Sequence, residues 1–342
     1  MPVEFITPHD YLLWDAFVER HPHGTLYHKI KWKEVIEKSF GHQTFYLSAL
    51  NNSTIRGVLP LISLNSRIFG KILCSMPFLN FGGIIADDRQ ATEELIEKAK
   101  ELAVSLKTDF IELRHHYKSD YNFITNTHKV SMTIKLDKNP EVLWNNFSSK
   151  HRNELRKSFK SDLLFKAGKD ELLDDFYFII SRGWRDLGTP IYSKTFFKNI
   201  IQQLGDNIEI VNIYYQDMPI ATALNGLYKG IIEGMWTYAL PEFRKLRTNY
   251  FLYWKMIERA CEQGFNLYHL GRSTKDSNTM DFKSKWQAEP HQLYWDYILV
   301  NRDSLPEINV DNPKYRLLIN TWRHLPVKLT QIIGPLFAKY IP

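Results

Sequence analysis

Three basic residues, Arg152, Arg156 and Lys160, recur at intervals of four, with Lys157 at the edge of the same helical face. A guanidinium fork binds phosphate oxygens in pairs, so such a stripe is suited to gripping a diphosphate. Glu154 beside it supplies the plainer reading, a solvated face with a local ion pair. Further along, Lys283 stands between Phe282 and Trp286. A positive charge in aromatic surroundings can stabilise the oxyanion that forms as an acyl group changes partners. Its plainer reading is a surface lysine whose stem covers apolar neighbours. Arg272 and Ser273 fall at a strand end, placed either to bind substrate or to fix the loop. Tyr238, Asn249 and Tyr253 flank the cleft expected between that strand and a helix, although aromatic residues at helical spacing also suit a core. Asp276, Asp281, Glu233 and Glu112 are each able to accept a proton from an incoming amine, and the sequence does not choose among them.

Other chemistries are poorly provided for. His21, His23, His28, His115 and His116 lack metal-site spacing and acidic companions, so no metal is expected. Cys74 falls in a predicted strand and Cys261 on an apolar helix face, and both are expected to be buried and inert. There is no Gly-x-Ser-x-Gly elbow, Walker loop or dinucleotide fingerprint. Two cysteines in 342 residues point to a reducing compartment, and the N-terminal residues carry no leader pattern, so a cytoplasmic protein is expected. The net charge of +6 favours anionic partners. With 44% hydrophobic and 24% charged residues, the composition is that of an ordinary folded chain.

The elements that must carry these residues repeat. Strand patterns at 44–50, 55–64 and 71–76 are followed by a helix at 90–106 and a strand at 109–114. The same order returns about 165 residues later, with strands at 209–215, 219–228 and 231–238, a helix at 248–263 and a strand at 266–270. Recurrence of β-β-β-α-β predicts duplication of one unit. Helices at 10–19 and 30–38 lead into the first copy. Helices at 140–160, 170–187 and 194–204 lead into the second, the first of these started by Asn139-Pro140-Glu141. The reading after Val300 is loop-like through residue 312, then a basic and apolar tail at 315–340, broken by Pro326 and Pro335. The expected domains are 1–136, 137–300 and a C-terminal extension, 301–342.

The β-β-β-α-β order is that of the GNAT acyltransferase core. The runs Leu73-Cys74-Ser75-Met76-Pro77-Phe78-Leu79-Asn80-Phe81-Gly82-Gly83, Lys150-His151-Arg152-Asn153-Glu154-Leu155-Arg156-Lys157, Leu187-Gly188-Thr189-Pro190, Asn249-Tyr250-Phe251-Leu252-Tyr253-Trp254, Leu270-Gly271-Arg272-Ser273 and Phe282-Lys283-Ser284-Lys285-Trp286 resemble the FemAB-like family, nearest its exopolysaccharide- and exosortase-associated members. The resemblance covers nearly the whole chain. It implies an α/β fold of two tandem GNAT-like domains with mixed, largely antiparallel sheets and a C-terminal helical extension.

The activity implied is acyl or aminoacyl transfer onto an amine of a sugar- or peptide-containing envelope or exopolysaccharide precursor. The donor would be aminoacyl-tRNA or acyl-CoA, with no tightly bound cofactor. Lys283 matches a family lysine at the acceptor site and is the catalytic candidate. Arg152, Arg156, Lys157, Tyr238, Asn249, Tyr253, Arg272, Ser273 and Trp286 are the substrate-binding candidates. An anionic sugar- or lipid-linked precursor is the expected partner and DNA is not. Alternatives are an acetyl-CoA-dependent N-acetyltransferase of an exopolysaccharide sugar and a non-catalytic glycan-assembly protein. Against acetyl-CoA, the place of the glycine-rich pyrophosphate loop reads Arg244-Lys245-Leu246-Arg247-Thr248-Asn249. Coiled-coil insertions of some tRNA-handling members are absent. Arg316, Arg323, Lys328 and Lys339 beside Leu317, Trp322, Leu325, Leu329, Ile332, Leu336 and Phe337 suit the tail either to the cytoplasmic membrane face or to packing on the second domain.

Overall fold

The computed structural model describes residues 2–66, 69–305 and 313–341, so the loop expected over 306–312 lies outside it. The chain runs β1 (Val3–Phe5), α1 (Tyr11–Arg20), α2 (Lys31–Phe40), β2 (Thr44–Asn51), β3 (Thr54–Ser66), β4 (Gly70–Cys74), β5 (Ile85–Ala86), α3 (Arg89–Ser105), β6 (Phe110–His115) and β7 (Ile124–Asn126). It continues through β8 (Lys129–Lys135), α4 (Pro140–Asn146), α5 (Ser149–Ser158), β9 (Leu164–Gly168), α6 (Leu173–Leu187), α7 (Lys194–Leu204), β10 (Ile208–Tyr215), β11 (Met218–Tyr228), β12 (Ile231–Ala239) and α8 (Thr248–Glu262). The last elements are β13 (Leu267–Thr274), α9 (Asn278–Ser284), β14 (Glu289–Gln292), β15 (Tyr294–Leu299), α10 (Pro313–His324) and α11 (Val327–Ala338).

Two compact units result. One comprises residues 1–129, 292–309 and 339–342, the other 130–291 and 310–338. Seven strands of each sheet match in order, β1-β2-β3-β4-β6-β15-β7 in the first and β9-β10-β11-β12-β13-β8-β14 in the second, and β5 adds an eighth to the first by pairing with β3. In both, the fourth and fifth strands pair in parallel, β4 with β6 and β12 with β13, while the preceding neighbours are antiparallel. The helix that joins each parallel pair, α3 or α8, supplies the crossover that a parallel connection requires.

The sixth place in the two sheets is filled by strands from outside the repeat, β15 in the first and β8 in the second. Strand β15 runs antiparallel to β6, Tyr294 opposite His115 through Leu299 opposite Phe110. The expected domain 137–300 therefore contains a strand that belongs to the first unit's sheet, and α10 and α11 belong to the second unit rather than standing apart. Asp296 holds β15 in place: His115 Nδ1 lies 3.0 Å from its Oδ2, with Thr125 and Ser119 hydroxyls also donating.

The core residues follow period two in the strands and 3.6 in the helices. In the second unit Val211, Ile213, Ile220, Ala221, Ala223 and Ile232 from the sheet meet Phe251, Leu252, Ile257 and Cys261 of α8. The expected helix at 140–160 is broken in two, because Phe147 is extended and Ser148 caps α5, its side chain accepting from His151 N. Asn139 caps α4 as its sequence predicts, accepting from Glu141 N at 3.0 Å. Pro326 separates α10 from α11, but Pro335 lies inside α11, where its ring costs one backbone hydrogen bond without ending the helix.

Candidate functional site

The second sheet opens at a definite rung. Strands β12 and β13 pair only from Ile231 opposite Leu267 to Glu233 opposite His269, although they run on to Ala239 and Thr274. Two local features mark the opening. Strand β12 carries an extra residue, Met235, because Asn225 of β11 faces Gly234 while Leu224 faces Trp236. Gly271 of β13 has φ +75°, and a Cβ there would lie 2.7 Å from Gly234 O, so this position requires glycine.

Lys283 of α9 fills the opening. Its Nζ donates to Gly271 O at 3.0 Å and to Arg272 O at 2.9 Å, two carbonyls beyond the last parallel rung. The side chain is buried, with the whole residue 5% exposed. Burial and the neighbouring Arg272 guanidinium pull its ammonium from 10.5 down to about 7, against the attraction of the Glu233 carboxylate. In the neutral form both N–H bonds are used on the two carbonyls and the lone pair is free. In the protonated form a third N–H becomes available.

Around this amine stand polar groups that the sequence did not single out together. Glu233, His269 and Ser131 form a row across β12, β13 and β8: Ser131 Oγ is 2.6 Å from His269 Nε2, and His269 Nδ1 is 3.4 Å from Glu233 Oε1. His269 went unnoticed because its partners are 36 and 138 residues away and no local motif marks it. An aromatic wall follows: Trp286 stacks on Tyr253 at 5.6 Å, meets His151 edge-on at 4.4 Å and Phe147 at 5.7 Å, while Phe282 meets Tyr253 at 5.3 Å. Burial, with the charge of Lys285, pulls His151 down to about 4, so its imidazole is neutral at physiological pH. His151 Nε2, Ser273 Oγ and Trp286 Nε1 are buried without hydrogen-bond partners. Each such group costs about 1–3 kcal/mol when left unmade, and these three lie on segments that touch Lys283 or Trp286.

The structure brings Lys283, Arg272, Ser273, Tyr253 and Trp286 together. Burial raises the Tyr253 phenol to about 12, so it remains a neutral donor. Tyr238 instead faces α6: its ring packs on Gly183, its hydroxyl donates to Asp186 Oδ2 at 3.2 Å, and burial together with Asp186 pushes it up to about 12. Asn249 is exposed in the first turn of α8.

The basic stripe is largely occupied. Arg152 Nη1 donates to Asn145 O at 2.9 Å and Phe147 O at 2.6 Å, covering carbonyls at the C-terminus of α4. Lys157 pairs with Glu154 at 2.7 Å, and Arg247 also pairs with Glu154. Arg156 lies over Trp144 at 5.8 Å with its outer face exposed, and Lys160 is exposed just past the end of α5.

Among the acids, Asp276 and Asp281 are exposed, and Glu112 pairs with Arg114 at 2.6 Å in the first unit. Glu233 alone of the four influences Lys283. The histidines of the first unit are fixed structurally: His28 Nε2 lies 3.0 Å from Gly83 O, and His115 Nε2 accepts from Ile84 N while Nδ1 faces Asp296. His115 does have an acidic companion, which 181 residues of separation hid. Cys74 and Cys261 are buried and unbridged. Among the described residues no group of acidic, histidine or cysteine side chains is arranged to hold a metal, and no helix is long and apolar enough to cross a membrane.

Residues 145–284, from the end of α4 to the end of α9, match the acetyltransferase (GNAT) domain family. The lipid II:glycine glycyltransferase of Staphylococcus haemolyticus (strain JCSC1435) is 24% identical over 218 residues, 56% of this chain and 51% of that protein. The enzyme of the same name from Staphylococcus aureus (strain COL) is 24% identical over 217 residues, 56% of this chain and 50% of that one. The chain spans about half the length of these curated relatives. The crystal structure of FemX superposes with a TM-score of 0.69 at 17% identity, over 93% of this chain and all of that one. A tandem GNAT protein from the clavulanic acid biosynthesis pathway gives 0.54 at 10% identity, over 89% of this chain and 100% of that one. Residues 145–284 are thus similar to the GNAT domain family, the chain is similar in sequence to the lipid II:glycine glycyltransferases, and its fold of mixed sheets and helices is tandem GNAT-like.

Proposed function

We propose that the second unit transfers an acyl group, and specifically an aminoacyl group, onto an amine of a sugar- or peptide-containing cell-envelope precursor. The observation that carries this reading is the burial of Lys283 at the opening of β12 and β13, with its amine near neutrality and two of its positions fixed by Gly271 O and Arg272 O. Neutral Lys283 offers a lone pair to the attacking amine as that amine bonds to the carbonyl carbon of the donor. Having taken the proton, it presents a third N–H to the oxyanion of the tetrahedral intermediate. The intermediate then collapses: the amide remains, the bond to the donor oxygen or sulfur breaks, and the proton passes to that leaving atom. Glu233, tied to His269 and Ser131, favours the charged form of Lys283, while Tyr253 and Trp286 exclude water around it.

The homologous glycyltransferases support an aminoacyl donor and a lipid-linked acceptor, lipid II in their case. The finer reading, from the resemblance to exopolysaccharide-associated members, is an exopolysaccharide precursor modified at the cytoplasmic membrane face. The donor is either an aminoacyl-tRNA ester or an acyl-CoA thioester. The GNAT match favours testing the thioester too, although Arg247, in a left-handed conformation with φ 59° just before α8, stands where glycines would let a pyrophosphate approach.

Mass spectrometry of envelope and exopolysaccharide precursors from a deletion strain tests the reading. Loss of one acyl or aminoacyl mass from a single precursor class is expected. Unchanged precursor chemistry with defective assembly would instead favour a non-catalytic glycan-assembly role. Calorimetric titration with CoA separates the donors, with weak or absent binding expected.

A further inference from the structure

Helix α11 has two unlike faces. Thr330, Gly334 and Ala338, at intervals of four, are buried. Gly334 lies so close to residue 191 that a Cβ there would come 3.0 Å from Ile191 N and O. Gln331 Nε2 donates to Ser181 Oγ at 3.1 Å, and Arg185 Nη1 donates to Leu325 O at 3.2 Å. Helix α10 is seated by Ile319 against Gly188. The two helices are therefore held on the second unit largely by small residues and polar bonds.

Several of their large apolar side chains are left outside. Ile332 is 71% exposed, Leu336 61% and Leu329 40%, sharing the face of α11 away from Gly334; on α10 Leu317 and Leu318 are 68% and 63% exposed. A surface helix ordinarily presents such residues to the core and polar ones to water. Among the described residues of this tail the pattern is inverted at these five positions.

Charge identifies what could cover them. From Pro313 to Pro342 the sequence has Lys314, Arg316, Arg323, Lys328 and Lys339 and no acidic residue, so this stretch carries most of the chain's net charge of +6. Arg316, Arg323 and Lys328 are exposed. An apolar surface accompanied only by positive charge is complementary to an anionic bilayer, which offers hydrocarbon beneath phosphates. A water-soluble protein partner of that chemistry would need an acidic rim around an apolar groove.

We propose that α10 and α11 form a docking surface for an anionic lipid membrane, with Leu329, Ile332 and Leu336 entering the headgroup boundary and Arg316, Arg323 and Lys328 facing lipid phosphates. This proposal rests on the exposed faces and not on the acyl-transfer reading, so either can fail alone.

Co-sedimentation of the full chain with vesicles decides it, using equal parts phosphatidylglycerol and phosphatidylcholine against phosphatidylcholine alone. The wild type should pellet with the anionic vesicles and much less with the neutral ones. Ile332→Glu with Leu336→Glu should abolish binding, and Arg316→Gln with Arg323→Gln and Lys328→Gln should weaken it on the order of 100-fold. Circular dichroism melts should match the wild type, since the Glu substitutions are at exposed positions. No binding by the wild type, or equal binding by the Glu variant, would overturn the proposal. So would a dimer in sedimentation velocity that the Glu variant dissociates, because the face would then belong to a second copy.

Discussion

Replacing Lys283 by methionine should make the protein more stable and inactive at once. Methionine keeps the length of the side chain and removes the charge. The drop of the Lys283 ammonium from 10.5 to about 7 corresponds to a cost of roughly 5 kcal/mol for holding it protonated in the fold, at about 1.4 kcal/mol per pH unit. Against this, the variant leaves Gly271 O and Arg272 O without their donor, which costs about 1–3 kcal/mol for each carbonyl, about 4 kcal/mol for the two at mid-range. A net gain on the order of 1 kcal/mol remains, or roughly 2–4 °C in melting temperature for a unit of this size. The sign with pH follows from proton binding. Below pH 7 folded and unfolded chains both carry the proton, so the cost is complete. Between 7 and 10.5 only the unfolded chain binds it, so wild-type stability rises with pH and the advantage of Lys283→Met shrinks. Thermal melts of the two proteins from pH 6 to pH 10 measure this directly. A variant no more stable than wild type at pH 6, or an advantage independent of pH, would refute the account of a buried, charge-strained amine.

Other perturbations separate binding from scaffolding. Arg152→Ala should lower stability by about 1–2 kcal/mol through the loss of two bonds to the end of α4, seen as an earlier melt with little change in KM. Arg156→Ala should raise KM for an anionic substrate and leave the melt within about 0.5 kcal/mol of wild type, since its outer face is exposed. The ring resonances of His151 should not titrate between pH 5 and 8 in NMR spectra, because burial and Lys285 hold it near 4. Against the cost of burial, hydrogen bonds from His115, Thr125 and Ser119 hold the Asp296 carboxyl below its usual range. The stability it contributes is present above about pH 4 and lost as pH falls through that lower value. Asp296→Asn should therefore cost about 1–3 kcal/mol at pH 7, because its three donors lose a charged acceptor, with the difference from wild type narrowing below pH 4 in urea titrations.

The repeated order was legible because each β-β-β-α-β run carries its own alternation, turn residues and helical spacing. The parallel rung itself was not, since pairing of Glu233 with His269 depends on a crossover through α8. Strand β15 was missed although 294–299 is rich in aromatic and β-branched residues, because the duplicated pattern ended before it and its partner β6 lies far back in the chain. Aromatic neighbours marked Lys283 and its match to a family lysine selected it, but its burial and carbonyl partners required the left-handed turn at Gly271 to be seen. The stripe at Arg152 misled for a local reason: a helix assumed continuous from 140 to 160 breaks at Phe147, and Arg152 turns back to serve that break. In the tail, composition established an amphipathic character, while the choice of buried face depended on Gly334 fitting where no larger residue could.

The most direct test of the central claim is a reconstituted transfer reaction read by the intact mass of the acceptor. Wild-type protein, supplied in turn with aminoacyl-tRNA and acyl-CoA, is incubated with lipid-linked precursors bearing a free amine, and Lys283→Met is run beside it. The account predicts an amide-linked gain of one acyl or aminoacyl mass with wild type and none with the folded variant. A variant that transfers at the wild-type rate would contradict the role assigned to Lys283 and, with it, the placement of the reaction at the opening between β12 and β13.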